Sequence, residues 1–238
     1  MSTPPFDVLH EDNHLLVVNK PAGVLSQGDR TGDADLLTLG KAYLKAKYHK
    51  PGAVYLGLVH RLDRPTSGVM VLARTSKAAR RLSEQFRRRT PMKRYLALVE
   101  GTMAGRGHAV DYLQKRGRQV RRVDPETPGA QRAELWWRAL ATHRGTTLVD
   151  VKLKTGRTHQ IRVQLAHRGH PLLGDPRYGA TQEIDGQALG LHCYHLTIEH
   201  PTQRVPVVCQ APPPDVWGHP FQAEVAALLA AYAVNSEE

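Results

Sequence analysis

Short runs of apolar and β-branched residues recur from one end of this chain to the other, and they restrict its fold more than any other feature. LLVVN (15–19), the stretch 54–59, VMVLA (69–73), RYLALVE (94–100), AELWWRALAT (133–142) and TLVDVKLK (147–154) each read as strands. HLTIEH and VPVVC, within 195–209, read as a final pair around a Pro-Thr-Gln turn. In 147–154, Leu148, Asp150, Lys152 and Lys154 alternate with Val149, Val151 and Leu153, which predicts a half-buried strand. Helical periodicity is rarer. Residues 35–48 carry it, with Asp35 as N-cap and Leu36, Leu39, Tyr43 and Leu44 on one side. A second helix is expected over 76–89, starting at Ser76, with Ala79, Leu82 and Phe86 inward and Arg80, Arg81, Arg87, Arg88 and Arg89 elsewhere. A third begins near Thr158 and stops at Gly169, with Ile161 and Leu165 inward. A fourth runs from Pro220 with Val225, Leu228, Leu229 and Tyr232 as its buried stripe. Strands outnumber helices and βαβ alternation is scarce. This predicts an α+β fold, a central mixed, mostly antiparallel sheet flanked by helices and loops. The Pro/Gly clusters are too short to be linkers, so residues 1–238 are expected to form a single domain.

Of 238 residues, 33 are Lys or Arg and 22 Asp or Glu, for a formal net charge of +11. Residues 74–94 alone hold nine basic residues and one acid, Glu84, and 106–122 hold six and one acid, Asp111. These two segments carry more positive charge than the whole chain, so the excess is concentrated. Concentrated positive charge beside polar and aromatic groups points to a polyanion, of which nucleic acid is the commonest soluble kind. Residues 106–122 are expected to form either a loop or hairpin that can close on such a polyanion, with Tyr112 able to stack, or a mobile solvated loop.

Other classes find little support. The longest apolar run, VAALLAAYAV, has ten residues, against about 20 needed to span a bilayer. The N-terminal residues contain acids and no apolar run, so no secretory signal is expected; two cysteines that make no disulfide framework lead to the expectation of a reducing cytoplasm. Cys193 and Cys209 fit neither a zinc motif nor a disulfide framework and read as buried free thiols. There is no G-x-x-x-x-G-K-[ST], and Val110 breaks G-x-G-x-x-G after Gly105 and Gly107. The thirteen histidines show no ligand spacing, so no metal is expected. Ser67 lacks the G-x-S-x-G elbow of a nucleophile; with Thr66 and Gly68 it is expected to shape a turn through side-chain hydrogen bonds to backbone.

What remains is HRLDRPTSG (60–68), where Asp63 lies between Arg61 and Arg64. Read alone, Asp63 can be a surface ion pair worth ~0–1 kcal/mol, a metal ligand with His60, or a catalytic group. Its company decides. HRLDRPTSGVMVLART (60–75), KRYLALVEG (93–101) and LKTGRTHQIRVQLAHRGHPLLGDPRYG (153–179), preceded by EDNHLLVVNKPAGVLSQ (11–27), together resemble the RluA type of RNA pseudouridine synthase. They run in that family's order over residues 11 to 179.

The resemblance implies the pseudouridine synthase fold and a reaction in which uracil is cut from C1′, rotated and rejoined through C5, with no cofactor and no metal. It makes Asp63 the essential carboxylate, acting by attack on sugar or base or by abstraction of a ribose proton. Arg162 matches the family's partner of that aspartate, and a guanidinium would keep the carboxylate ionised in a dry site. Tyr95 matches the ring that stacks on the target uracil, where a π-face tolerates rotation of the base. Read without the family, Tyr95 is a cross-strand core aromatic. Arg61 matches the residue that helps flip the target out of its stack. Arg64, Arg87, Arg88, Arg89, Lys93, Lys115, Arg116 and Arg157 are the other expected RNA contacts. Gly156 is expected to permit a tight turn, His159 and Gln160 to order the site, and Asp175 to support it.

Two departures bear on this. Gln164 stands where the family commonly has a histidine two residues after the HQ[IL]R arginine, which predicts a modest local change. No room is expected for the small S4-type RNA-binding domain of longer members, so the catalytic domain is expected to find its RNA, a ribosomal or transfer RNA stem-loop, as a monomer. The competing reading is an RNA-binding protein that keeps the fold without catalysis; only the enzyme needs Asp63, Tyr95 and Arg162 together.

Overall fold

A computed structural model describes residues 5–117, 119–184, 188–217 and 219–234. Arg118, inside the second basic segment, lies outside them. In chain order the strands are β1 (Asp7–Glu11), β2 (Leu15–Lys20), β3 (Gly57–Leu58), β4 (Ser67–Ala73), β5 (Met92–Glu100), β6 (Arg106–Arg116), β7 (Gln119–Val123), β8 (Gln131–His143), β9 (Thr146–Leu153), β10 (Leu191–Glu199) and β11 (Pro206–Gln210). The α-helices are α1 (Leu36–Lys47), α2 (Ser76–Arg88), α3 (Gln160–Ala166) and α4 (Gln222–Val234). None is long and apolar enough to cross a membrane. Two compact units are formed, Met1–Pro91 with Cys193–Pro214, and Met92–His192 with Asp215–Glu238. The expected α+β class holds.

In the first unit β2 pairs antiparallel with β1 and with β4, and β11 pairs antiparallel with β10 over His195↔Gln210 to Glu199↔Pro206. Leu15 to Val18 and Val69 to Ala73 are all at most 1% exposed, which explains their continuous apolar character: both faces of these strands are covered. Helix α1 starts as expected, with the Asp35 carboxylate accepting from Thr38 N–H. It lies close on this sheet because Gly40 leaves room for Leu56, Leu16 and Leu72. Helix α2 starts at Ser76 as expected, capped by the Thr75 side chain; its deepest residues are Ala78 and Leu82, with Ala79 and Phe86 only partly covered. The strand expected over 54–59 shrinks to Gly57–Leu58, paired with Ala73 and Leu72. Cys193 and Cys209 are buried free thiols.

In the second unit the strand order is β5-β9-β8-β6-β7, each pair antiparallel. The expected loop or hairpin over 106–122 is a hairpin, β6–β7, closed by Arg116↔Gln119. Its inward residues Ala109, Asp111 and Leu113 alternate with exposed or half-buried ones. Strand β9 is not half-buried. Leu148 to Val151 are all buried, and Asp150, 1% exposed, is held by Arg94 on β5, whose Nε donates at 3.2 Å. An ion pair at adjacent strands lets a carboxylate occupy a covered position that alternation assigns to solvent. Helix α3 is shorter than expected, since His159 takes a left-handed φ of 52° and the helix begins after it. On α4, Leu228 is buried and Tyr232 faces the Arg94 guanidinium at 4.5 Å.

Candidate active site

Asp63 lies in the stretch between β3 and β4, two residues before Pro65. Both its neighbours are latched to the loop after β2. Ser26 Oγ donates to the Leu62 carbonyl at 2.7 Å and accepts from Leu62 N–H at 3.2 Å. On the other side, Gly23 N–H donates to the Arg64 carbonyl at 2.9 Å, and Arg64 Nε returns a bond to the Gly23 carbonyl at 2.9 Å. Lys20 completes the clamp. Its side chain is fully buried, and Nζ donates to the carbonyls of Pro21 (2.9 Å), Val24 (2.8 Å) and Arg64 (3.2 Å). Burial pushes this amine down and the negative charge of Asp63 offsets part of that, leaving it lowered to about 7. Three carbonyl acceptors use all three N–H bonds of an ammonium, so the geometry favours the charged form.

The turn after Asp63 differs in detail from the expected one. Thr66 N–H donates to the Asp63 carbonyl at 3.0 Å, a backbone turn, while the buried Thr66 hydroxyl has no partner among the described residues. Ser67 and Gly68 already belong to β4. His60 accepts Val71 N–H at Nε2 (3.0 Å) and stacks on Phe86 of α2 at 4.5 Å, which ties the start of the motif to that helix. Arg61 is exposed; Arg64 turns to Asp33, with Nη1 2.7 Å from the carboxylate. At the end of α2, Arg87, Arg88 and Arg89 are exposed, the first two paired with Glu84, Arg88 at 2.5 Å.

The second unit carries Tyr95 and Arg162. Tyr95 lies on β5 opposite Val151 and is 7% exposed; Lys93, two residues before, points the same way. Arg162, on α3 and 6% exposed, receives a bidentate carboxylate: Nε and Nη2 each donate to Asp175 at 2.7 Å. The Tyr178 ring covers the guanidinium at 5.0 Å. Asp175 and Tyr178 bracket one 3-10 turn, Pro176–Tyr178, which the GDPRYG segment forms. Gln160 closes the loop before α3. It accepts from Thr155 Oγ1 (2.7 Å) and Arg157 N–H (3.0 Å) and donates to the Glu134 carbonyl (3.0 Å). Arg157 Nε donates to the Arg132 carbonyl at 3.1 Å. Gly156 has no left-handed φ; a Cβ there would instead meet Lys93 Nζ at 3.0 Å.

Gln164 bonds with its amide to Asp111 on β6 (2.7 Å) and to the Ala133 carbonyl (3.3 Å). Asp111 also accepts from Arg168 and Arg122, both at 3.0 Å. Burial pushes this carboxyl up, and the Gln164 and arginine bonds outweigh it, leaving it below the usual range. Lys115 and Arg116 are exposed at the end of the hairpin. Sequence reasoning passed over Lys20, Asp111 and Tyr178. A lysine ending the apolar run LLVVNK was the available signal for the first.

The chain matches the RNA pseudouridylate synthase family over residues 14–167, a span that takes in residues of both units. It is 35% identical to "Ribosomal large subunit pseudouridine synthase D" of Xylella fastidiosa over 225 residues, 89% of this chain and 67% of that protein. The Nitrosomonas europaea protein of the same name is 35% identical over 95% of this chain and 65% of its own length, and "Uncharacterized RNA pseudouridine synthase YhcT" of Bacillus subtilis is 35% identical over 87% and 68%. The chain thus spans about two thirds of the length of these relatives. Among solved structures, Human RNA Pseudouridylate Synthase Domain Containing 1 superposes with a TM-score of 0.73 at 25% identity, covering 97% of each chain. Human RNA Pseudouridylate Synthase Domain Containing 4 gives 0.72 at 25%, covering 94% of this chain and 92% of its own. With the HRLDR, KRY and HQIR motifs in place and this similarity along most of its length, the chain belongs to the RNA pseudouridylate synthase family.

Proposed function

We propose that this protein isomerises uridine to pseudouridine in structured ribosomal RNA, with Asp63 as the reacting carboxylate, Arg162 as its electrostatic partner and Tyr95 as the ring that holds the base. The C1′–N1 bond of the target breaks, the uracil turns, a C1′–C5 bond forms, and the proton lost from C5 is balanced by one gained at N1. An ionised carboxylate serves either opening of this sequence, attack on the sugar or base, or abstraction of a ribose proton. No cofactor takes part in it.

The observation that carries the reading is the clamp around Asp63, with Leu62 latched by Ser26 and Arg64 by Lys20 and Gly23. A group whose two neighbours are fixed by buried hydrogen bonds is held in place before substrate arrives, as catalysis requires. A structural ion pair has no need of it. The choice of ribosomal over transfer RNA rests on relatives named for the large ribosomal subunit. Arg61 is assigned to displacing the target nucleotide. Arg64, Lys93, Arg157, the α2 arginines and the hairpin residues Lys115 and Arg116 are assigned to phosphates.

The test is chemical mapping of pseudouridine in ribosomal and transfer RNA from cells with and without this chain. A uridine in ribosomal RNA that is converted only when the chain is present supports the reading. Conversion confined to transfer RNA contradicts the substrate, and no conversion anywhere contradicts the reaction.

A further inference from the structure

Tyr178 belongs to none of the motif positions given a role above, yet it touches three parts of the second unit. Its ring packs against the buried cluster of Leu113, Val120, Ala133 and Val163, which joins the hairpin, β8 and α3. The ring also covers the Arg162 guanidinium at 5.0 Å and meets the His159 ring edge-on, with centroids 5.7 Å apart. Its hydroxyl accepts Val120 N–H at 3.3 Å, from the hairpin strand β7 next to the exposed Gln119. The same hydroxyl lies 2.7 Å from Nδ1 of His159, to which its proton can be donated.

His159 is the residue that starts α3, in a left-handed conformation that non-glycine residues seldom adopt. The hydroxyl of Tyr178 therefore joins a backbone amide at the end of the basic hairpin to the residue that sets where the arginine-bearing helix begins. The Asp175 fork fixes the plane of the Arg162 guanidinium, and the Tyr178 ring covers its face. A change in the hairpin at Val120 can thus reach Arg162 through one side chain, by way of bonds that have few alternatives in a packed interior.

We propose that Tyr178 is a positioning residue for Arg162, through which RNA held by the β6–β7 hairpin sets the orientation of the guanidinium. The proposal rests on the reading of Arg162 as part of the reaction site. Arg162 does its work only if the guanidinium is aimed within a narrow range, and Tyr178 makes that aim depend on hairpin occupancy. Asp111 gives the hairpin a second, firmer attachment to α3 through Gln164 and Arg168, so losing the Tyr178 hydroxyl leaves the hairpin in place.

The experiment uses Tyr178→Phe in the full chain, which keeps the ring and removes the hydroxyl. At saturating RNA its single-turnover rate of pseudouridine formation is expected to fall by about tenfold or more, with the RNA Kd within about threefold of native. Lys115→Ala with Arg116→Ala is expected to slow the saturated rate in the native background and to add nothing in the Tyr178→Phe background. A Tyr178→Phe rate within about twofold of native, or hairpin effects that multiply in full with it, overturns the proposal. A second readout needs no catalysis: exchange of the Arg162 Nε–H with solvent, followed by nitrogen-15 NMR on the protein alone. Faster exchange in Tyr178→Phe is expected, and equal exchange overturns the proposal. If the native chain forms no pseudouridine while Tyr178 still protects Arg162 Nε–H, the proposed reaction fails and the positioning stands. Should Tyr178→Phe not fold, His159→Ala removes the hydroxyl's acceptor and is judged by the same rate and exchange criteria.

Discussion

Lys20 and Arg64 are forty-four positions apart in the chain, and the Nζ of the first donates to the carbonyl oxygen of the second at 3.2 Å. The bond joins the end of a buried strand to the residue after Asp63. With the companion bonds to Pro21 and Val24 it leaves the ammonium fully used inside the protein. Lys20→Met keeps the length of the side chain and strips three carbonyls of their donor. A loss of about 3 kcal/mol in unfolding free energy is expected, from the cost of unsatisfied buried acceptors. Denaturant titration measures it. A loss below about 1 kcal/mol would mean that water or relaxation replaces the clamp.

Gly68, at the start of β4, has φ of 119°, and a Cβ there would lie 2.3 Å from the carbonyl oxygen of Cys193. Both the conformation and the backbone contact exclude a side chain. Gly68→Ala is expected to cost more than about 4 kcal/mol, from strain and overlap together. Thermal unfolding of the variant checks this, and a native-like Tm would show that β4 and β10 can separate at little expense.

Arg87, Arg88 and Arg89 crown the end of α2, where Glu84 neutralises part of their charge. Reversing all three to Glu is expected to weaken RNA binding and to lower the slope of log K against log salt by about 2–3, roughly one for each phosphate that is no longer neutralised. Fluorescence anisotropy over a salt series gives the slope. An unchanged slope removes α2 from the RNA footprint.

Asp12 accepts from His10, from the backbone N–H groups of His14 and Leu15, and from His200. Burial pushes its carboxyl up, but these bonds together hold it far below the ordinary 3.8. The folded state therefore binds this proton less readily than the unfolded state. The stability it contributes is present above the unfolded value and is lost as pH falls through the folded one. Asp12→Asn is expected to flatten the fall in stability below about pH 4 and to lower stability at neutral pH. Stability measured against pH in both proteins tests it; parallel curves would contradict the assignment.

The strands and helices were legible wherever one chemical pattern spoke alone. Asp35 followed by Leu36 and Leu39 announced α1 correctly, because a cap and an apolar stripe are local signals. Asp150 misled, because alternation assigns a carboxylate to solvent and cannot see Arg94 on the neighbouring strand. The start of α3 was misplaced for a similar reason: the left-handed turn at His159 has its hydrogen-bond support in Tyr178, nineteen residues on. Asp63 stood out by its motif. Its clamp did not, since Ser26 and Lys20 look like ordinary residues of a strand end and loop until folding brings them beside Leu62 and Arg64. Asp175 shows in the sequence only as support for the site; its partner, Arg162, is set by the fold.

On the proposed function, Asp63 carries the chemistry. Asp63→Asn keeps the size and shape of the side chain but turns one accepting oxygen into a donating amide, and it cannot act as a nucleophile or a base. Pseudouridine formation by this variant should fall below detection, while its Kd for the same RNA stays within about threefold of native, since the phosphate contacts are untouched. Modification at the native rate by Asp63→Asn would contradict the account.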